Sequence, residues 1–258
     1  MKRIIFFDLD NTLRSTNKKE IPSKTVDLLK KLASTPNTFL GLATGRGPSK
    51  IHFLDDLIDL FTYKVFINGA LAYKNNELIY DEPLKVKDIE DVVKNASKEN
   101  ISIGFVAKDR EYVNSHNDEV DYGMKDFSQE LPKIVEDIFL REPIYQLWLF
   151  SKDFSKIEMI INNPELTCYP WHNGGADLVN SNTNKAIAIK RLLENEDDYE
   201  LITVGDGYND IMMIEIADIG IAMENSRFDE LKEKADYVAP HVDDNQLYDF
   251  FKKINLID

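Results

Sequence analysis

Short apolar runs alternate with stretches of helical period at both ends of the chain. Residues 3–7 (Arg3-Ile4-Ile5-Phe6-Phe7), 38–43, 64–67, 201–204 and 219–222 are such runs, and 237–238 is a shorter one. Between them, apolar residues recur at helical spacing. Val26, Leu29, Leu32 and Ala33 follow Pro22, and Ile51, Leu54, Leu57 and Ile58 predict a second helix. Further helices are predicted over 185–193, after Asp210, near Leu231, and through Leu247, Phe250, Phe251 and Ile254. A run that is apolar on both faces is a strand covered on both faces, so this alternation predicts a parallel α/β sheet. Leu71 to Tyr73 and Leu78 to Tyr80 flank Lys74-Asn75-Asn76-Glu77, which predicts a hairpin.

The pattern changes near Asp81-Glu82-Pro83. A helical stretch with Ile89, Val92 and Val93 leads to strand-like segments at 101–106, 111–113 and 144–150. A helix over 154–161 and strands at 166–171 and 176–179 follow. This predicts a small α+β domain with an antiparallel sheet, inserted into the parallel-sheet core. The expected division is a discontinuous core, 1–81 and 180–258, with an insertion over 82–179.

Composition narrows the function. The chain has 258 residues and a formal charge of -15. That charge argues against non-specific nucleic-acid or membrane-surface binding, which needs clustered Lys and Arg. The single cysteine, Cys168, excludes an internal disulfide framework or a multi-cysteine zinc site. The first apolar run breaks at Asp8, too early for a signal peptide, so a cytoplasmic location is expected.

Four polar clusters follow the core strands or open a helix: Asp8 with Asp10, Thr44 with Arg46, Lys185, and Asp206 with Asn209 and Asp210. Strand ends of one parallel sheet point the same way, so these residues can converge. Asp8-Leu9-Asp10-Asn11-Thr12 alone is equally a turn and a site, since Asp, Asn and Thr all cap and turn well. Four converging carboxylates repel unless a cation sits among them, and hard oxygen donors without His or Cys favour Mg2+. A metal, a hydroxyl and an ammonium together suit a phosphoryl group: Lys185 would neutralise its oxygens, Thr44 would donate to it, and Gly45 would let backbone amides approach.

Asp8-Leu9-Asp10-Asn11-Thr12, Thr44-Gly45-Arg46, Lys185 and Gly205-Asp206-Gly207-Tyr208-Asn209-Asp210 resemble, in order and spacing, the four motifs of the haloacid dehalogenase (HAD) superfamily of phosphatases. The insertion after the second motif is similar to that of the Cof-type, subfamily IIB, branch. The resemblance implies a Rossmann-like HAD core with an inserted α+β cap of type C2B. It implies that Asp8 is the nucleophile, forming an aspartyl phosphate, and that Asp10 is the general acid that later activates water. Mg2+ would be held by the Asp8 carboxylate, the Asp10 main-chain carbonyl and Asp206, with Asp210 supporting. Phosphate would meet the Leu9 amide, Thr44, Gly45, Lys185 and Asn209. The chain departs from the family in placing Ala186, where Gly is common, after the lysine; this bears on helix packing more than on chemistry.

The implied activity is hydrolysis of small phosphorylated metabolites such as sugar phosphates, with the cap excluding water and selecting the leaving group. A phosphomutase on the same fold, or a non-enzymatic phosphoaspartate switch or metabolite sensor, are the alternatives. A receiver-type switch has no place for the insertion and puts its phosphorylated Asp at a later strand. Several residues also have plainer readings: Arg46 as a loop brace, Asn68-Gly69 as a hairpin turn, and Trp171 as a core residue ahead of a turn through His172, Asn173, Gly174 and Gly175. Substrate identity and oligomeric state are not encoded in these patterns.

Overall fold

The computed structural model describes residues 1–125, 130–171 and 174–258. In chain order the first elements are β1 (Lys2–Phe7), α1 (Ser23–Ala33), β2 (Thr38–Ala43), β3 (Phe61–Phe66), β4 (Leu71–Lys74) and β5 (Glu77–Asp81). The insertion carries α2 (Val86–Lys98), β6 (Ser102–Val106), β7 (Glu111–Val113), α3 (Asp118–Met124), β8 (Lys133–Ile134), β9 (Gln146–Phe150), α4 (Phe154–Ile160), β10 (Leu166–Pro170) and β11 (Gly175–Asn180). The chain ends with α5 (Lys185–Leu192), β12 (Tyr199–Gly205), α6 (Ile211–Glu215), β13 (Ile219–Met223), α7 (Asp229–Lys234), β14 (Tyr237–Ala239) and α8 (Leu247–Lys253).

These elements divide into two compact units. One comprises Met1–Gly45, His52–Tyr80 and Asn184–Asp258; the other comprises Arg46–Ile51 and Asp81–Thr183. The first unit is built on an eight-stranded sheet in the order β14, β13, β12, β1, β2, β3, β4, β5. The strands from β14 to β3 are parallel and β4 runs antiparallel to β3. Strand order reverses between β1 and β12, and in open α/β sheets such a switch opens a crevice beyond the strand ends. Register fixes what meets there. Phe7 pairs with both Val204 and Leu42, so the chain leaves β1, β12 and β2 at one level, at Asp8, Gly205 and Ala43. The strand that leads to Asp8 is buried on both faces: Ile4, Ile5, Phe6 and Phe7 have no exposure. Each such burial contributes about 1.5–3 kcal/mol relative to an exposed side chain.

The second unit has a six-stranded sheet in the order β10, β11, β9, β6, β7, β8, antiparallel except for the β7–β8 pair. The two-residue period of its strands divides its residues between two faces. Ile103, Phe105, Leu147, Leu149, Ala176 and Leu178 pack with Ile89, Val92 and Ala96 of α2 and Ile157 and Ile160 of α4. Phe150 and Trp148 instead pack with Val120 and Met124 of α3 and with Trp171. Cys168 is partly buried against the first of these clusters, and burial pushes its thiol up to about 12, which suits packing rather than reactivity.

Two expectations change. The predicted helix through Ile51, Leu54, Leu57 and Ile58 is instead two 3₁₀ segments, Pro48–Lys50 and His52–Leu60, and Asp55 interrupts the second at φ 44°. Ile51 and Leu54 still bury. The apolar spacing is real, but the adjacent acids Asp55 and Asp56 are poor helix-interior residues. In α1 the buried face is Thr25, Leu28, Leu29 and Leu32, while Ala33 is exposed. Among the described residues, no helix is long and apolar enough to cross a membrane.

Candidate active site

Asp8 is the first residue beyond β1. Its amide bonds the Val204 carbonyl at 2.9 Å, which continues the strand pairing one step and leaves the side chain 6% exposed at the crevice. Lys185 opens α5, whose N-cap Asn184 accepts from the Ile187 amide at 2.8 Å. A lysine at a helix start ordinarily lies in solvent, but this one has no side-chain exposure. Its Nζ donates at 2.6 Å to Asp8 Oδ1 and at 2.6 Å to Asp210 Oδ1. The two carboxylates raise the lysine's affinity for its proton against the cost of burial, so it is a fixed cation.

Asp210 is fully buried, and its second oxygen accepts from the amides of Asp206, at 3.0 Å, and Gly207, at 2.8 Å. That arrangement curls the loop after β12 around the Asp210 carboxylate. Gly205 is required there, since a Cβ on it would lie 2.6 Å from the Asp210 side chain. Asp206, half-buried, receives Thr12 Oγ1 at 3.4 Å. Asp10 is also half-buried, and its Oδ1 accepts from Arg14 Nη1 at 3.2 Å. Thr44, 1% exposed, takes its place through its amide bond to Val65 O at 2.9 Å.

Oxygens of Asp8, Asp206 and Asp210 can lie within 4.8 Å of one another. Burial pushes Asp8 up to about 7; Lys185 opposes that shift, and the Asp210 and Asp10 charges add to it. Asp206 is raised for the same reasons, burial first and then the charge of Asp8. The acids Asp8, Asp10, Asp206 and Asp210 outnumber the cations Lys185 and Arg14, so the cluster is short of positive charge. An all-oxygen donor set with that deficit fits a hard divalent cation. Both Asp210 oxygens are already engaged, so among the three acids Asp8 and Asp206 are the better placed to coordinate.

Of the residues marked by the sequence, Asp8, Lys185, Asp206 and Asp210 thus form one connected cluster. Asn209 is tied to the Thr44 segment through Asn68. Asn68 is fully buried, and its Oδ1 accepts from Asn209 Nδ2 at 2.7 Å. Its amide donates to Thr44 O at 3.1 Å, and a Cβ on Gly45 would lie 3.2 Å from Asn68 Oδ1. Ile67, Asn68 and Gly69 all have positive φ (50°, 52° and 100°), a conformation costly for a β-branched residue. Gly69 backs onto α5, where a Cβ would meet Asn184 O at 2.3 Å. The 67–69 turn joins the antiparallel strands β3 and β4, which bears out its reading as a hairpin turn, and it also touches three of the marked segments at once. Sequence offered only the Asn-Gly pair as a signal.

The other marked residues lie as follows. Arg46 belongs with the second unit, where its Nη1 donates to Lys50 O at 3.3 Å and braces the turn. Leu9 is fully buried, and its carbonyl accepts from the Leu13 and Arg14 amides. Ala186 packs in the core cluster with Ile189 and Leu192. Trp171 donates its Nε1 to Asp177 at 2.8 Å and sits edge-on to Phe150 and Trp148. His172 and Asn173 lie outside the described residues.

Comparison with known proteins gives a consistent picture. The family model of haloacid dehalogenase-like hydrolases matches residues 5–251. YkrA of Bacillus subtilis (strain 168), whose name gives it as a candidate phosphatase, is 28% identical over 259 residues, covering 99% of this chain and 98% of that one. Pyridoxal phosphate phosphatase YbhA of Escherichia coli (strain K12) is 24% identical over 256 residues, covering 92% of each. The solved structure of BT4131, a HAD subclass IIB sugar phosphatase, matches with a TM-score of 0.88 at 25% identity, over 99% of this chain and 100% of that one.

Proposed function

The chain belongs to the haloacid dehalogenase-like hydrolases and is a subclass IIB phosphatase, and from that membership we propose that it hydrolyses small phosphorylated metabolites, sugar phosphates foremost, through an aspartyl phosphate on Asp8. The observation that carries this reading is the fully buried Lys185, held 2.6 Å from Asp8 while Asp210 anchors it from the other side. A cation fixed beside a carboxylate keeps that carboxylate aimed and offers charge to an incoming phosphoryl oxygen.

In the first step an Asp8 carboxylate oxygen attacks phosphorus and Asp10 gives its proton to the departing oxygen. In the second step Asp10, now a base, takes a proton from the water that releases phosphate. Thr44, the amides of Leu9 and Gly45, Lys185 and Asn209 hold the phosphoryl oxygens, and Asn68 sets the Asn209 amide. Asp8, Asp206 and the Asp10 main-chain carbonyl are the residues suited to hold Mg2+, which when bound supplies the missing positive charge and draws electron density from the phosphoryl oxygens. We assign choice of the leaving group to the inserted domain, 82–179, and place the reaction in the cytoplasm. The sugar phosphatase among the structural relatives supports the substrate class.

The test is a phosphate-release screen over phosphorylated sugars, polyols, nucleotides and cofactors, with Mg2+ and with a chelator. Sugar phosphates are expected to turn over only with Mg2+, and Asp8→Asn is expected to lower that turnover by about 10³-fold or more. Full Mg2+-dependent turnover by Asp8→Asn would rule out the nucleophile.

A further inference from the structure

Arg14 belongs to none of the clusters that the sequence pattern marked, yet it is the second cation of the site. Its side chain is 11% exposed and its Nη1 lies 3.2 Å from Asp10 Oδ1. Leu9 and Leu13 are fully buried, and the guanidinium carbon sits 4.6 Å from the centroid of the Phe53 ring. The buried Nε has no hydrogen-bond partner among the described residues. Burying a guanidinium with a donor unmatched is costly, and an aliphatic side chain would avoid that cost. A buried unmatched donor calls for a local explanation.

The backbone supplies one. The amides of Leu13 and Arg14 both bond the Leu9 carbonyl, at 3.0 and 2.8 Å, and the Asn11 amide bonds the Arg14 carbonyl at 2.6 Å. Asp10 thus sits within a tight loop that Arg14 itself closes. The guanidinium carbon lies over the Phe53 ring, a second contact on the side chain whose donor addresses the carboxylate. A planar, charge-assisted donor of this kind sets a carboxylate's heading better than a mobile ammonium can. We infer that Arg14 is a positioning residue for Asp10, holding its carboxyl group in the rotamer that delivers a proton to the leaving group.

The inference rests on the reading of Asp10 as general acid. In that step a bond forms from the Asp8 oxygen to phosphorus, the bond from phosphorus to the leaving oxygen breaks with its electrons going to that oxygen, and the Asp10 proton follows them. An alkoxide leaving group needs that proton, whereas a nitrophenolate leaves without it. Misplacing the acid should therefore harm alkyl esters selectively. A merely structural role for Arg14 would harm both kinds of ester alike.

The experiment measures kcat/KM with Mg2+ for glucose 6-phosphate and for p-nitrophenyl phosphate in the wild type, Arg14→Met, Arg14→Lys and Asp10→Asn. Arg14→Met keeps an unbranched chain against Phe53 and removes the donor. Its loss on the alkyl ester is expected to exceed its loss on the aryl ester by about tenfold or more, with Arg14→Lys recovering part of that ratio. Asp10→Asn should show the same selectivity more strongly. Equal losses in Arg14→Met, or none, overturn the role of Arg14 while a selective Asp10→Asn leaves the general acid standing. Equal losses in Asp10→Asn overturn that reading and this inference together. Should Arg14→Met fail to give a cooperative thermal melt, Arg14→Gln carries the same comparison with the same expected ratio.

Discussion

The loops that follow the neighbouring strands β1 and β12 hold their acids by opposite means. Asp8 and Asp210 sit equally close to Lys185, at 2.6 Å. The remaining Asp210 oxygen is met by two backbone amides, whereas in the first loop Asp8 accepts from the side chain of Lys185 and Asp10 from that of Arg14. Backbone dipoles are fixed and make a carboxylate part of the scaffold. Side-chain cations leave a carboxylate able to change its charge, and burial pushes Asp8 up to about 7, where small changes in its surroundings count. Equal proximity to one lysine thus goes with a division between an acid that builds the site and the acid we propose reacts in it.

Substitution separates the two most sharply. Asp8→Asn should abolish turnover yet raise the melting temperature of the metal-free protein, since it removes one of the buried like charges. Asp210→Ala should lower stability by about 3–5 kcal/mol, because it strips Lys185 of an anchor and leaves the Asp206 and Gly207 amides without their acceptor. Denaturant titration of both variants checks this. Equal destabilisation would erase the distinction between them.

The next effect is on pH dependence. Asp8 carries a folded-state value raised to about 7 from 3.8, so its contribution to stability is present below about 4 and lost as pH rises through about 7. Asp206 is raised in the same direction. Metal-free protein should therefore lose melting temperature between about pH 4 and pH 7, while Mg2+ should restore more of it at the upper end than at the lower. Thermal melts with Mg2+ and with chelator measure this. A Mg2+ effect that grows toward acid pH would contradict the assigned electrostatics.

The smallest effect lies between the loops. Asn68→Gly keeps the left-handed backbone and removes the acceptor of Asn209. We expect KM to rise about fivefold, equivalent to about 1 kcal/mol for one hydrogen bond, with little change in melting temperature. A large stability loss with unchanged KM would make Asn68 structural only.

Much of this was legible because the chemistry is local to strand ends. An apolar run ending in acids can be read residue by residue, and Asp8, Lys185, Asp206 and Asp210 do meet. Asn68 was not legible. Its partner is 141 positions away, and an Asn-Gly pair looks the same in a plain turn. Arg14 was missed because nothing in the local pattern distinguishes a buried arginine from an exposed one. Asp55 defeated a helical period that is otherwise present, since spacing reports burial and not backbone conformation. In the insertion the alternation of Leu147, Trp148, Leu149 and Phe150 announced a strand, but not that Trp148 and Phe150 would join Trp171 and α3.

The central claim is that phosphate reaches water by way of Asp8, in two displacements. Hydrolysis of a sugar phosphate made chiral at phosphorus with oxygen isotopes tests it directly. Two in-line displacements, the first by Asp8 and the second by water, give phosphate with retained configuration. Inversion would mean that water attacks the substrate itself, with Asp8 only an electrostatic bystander.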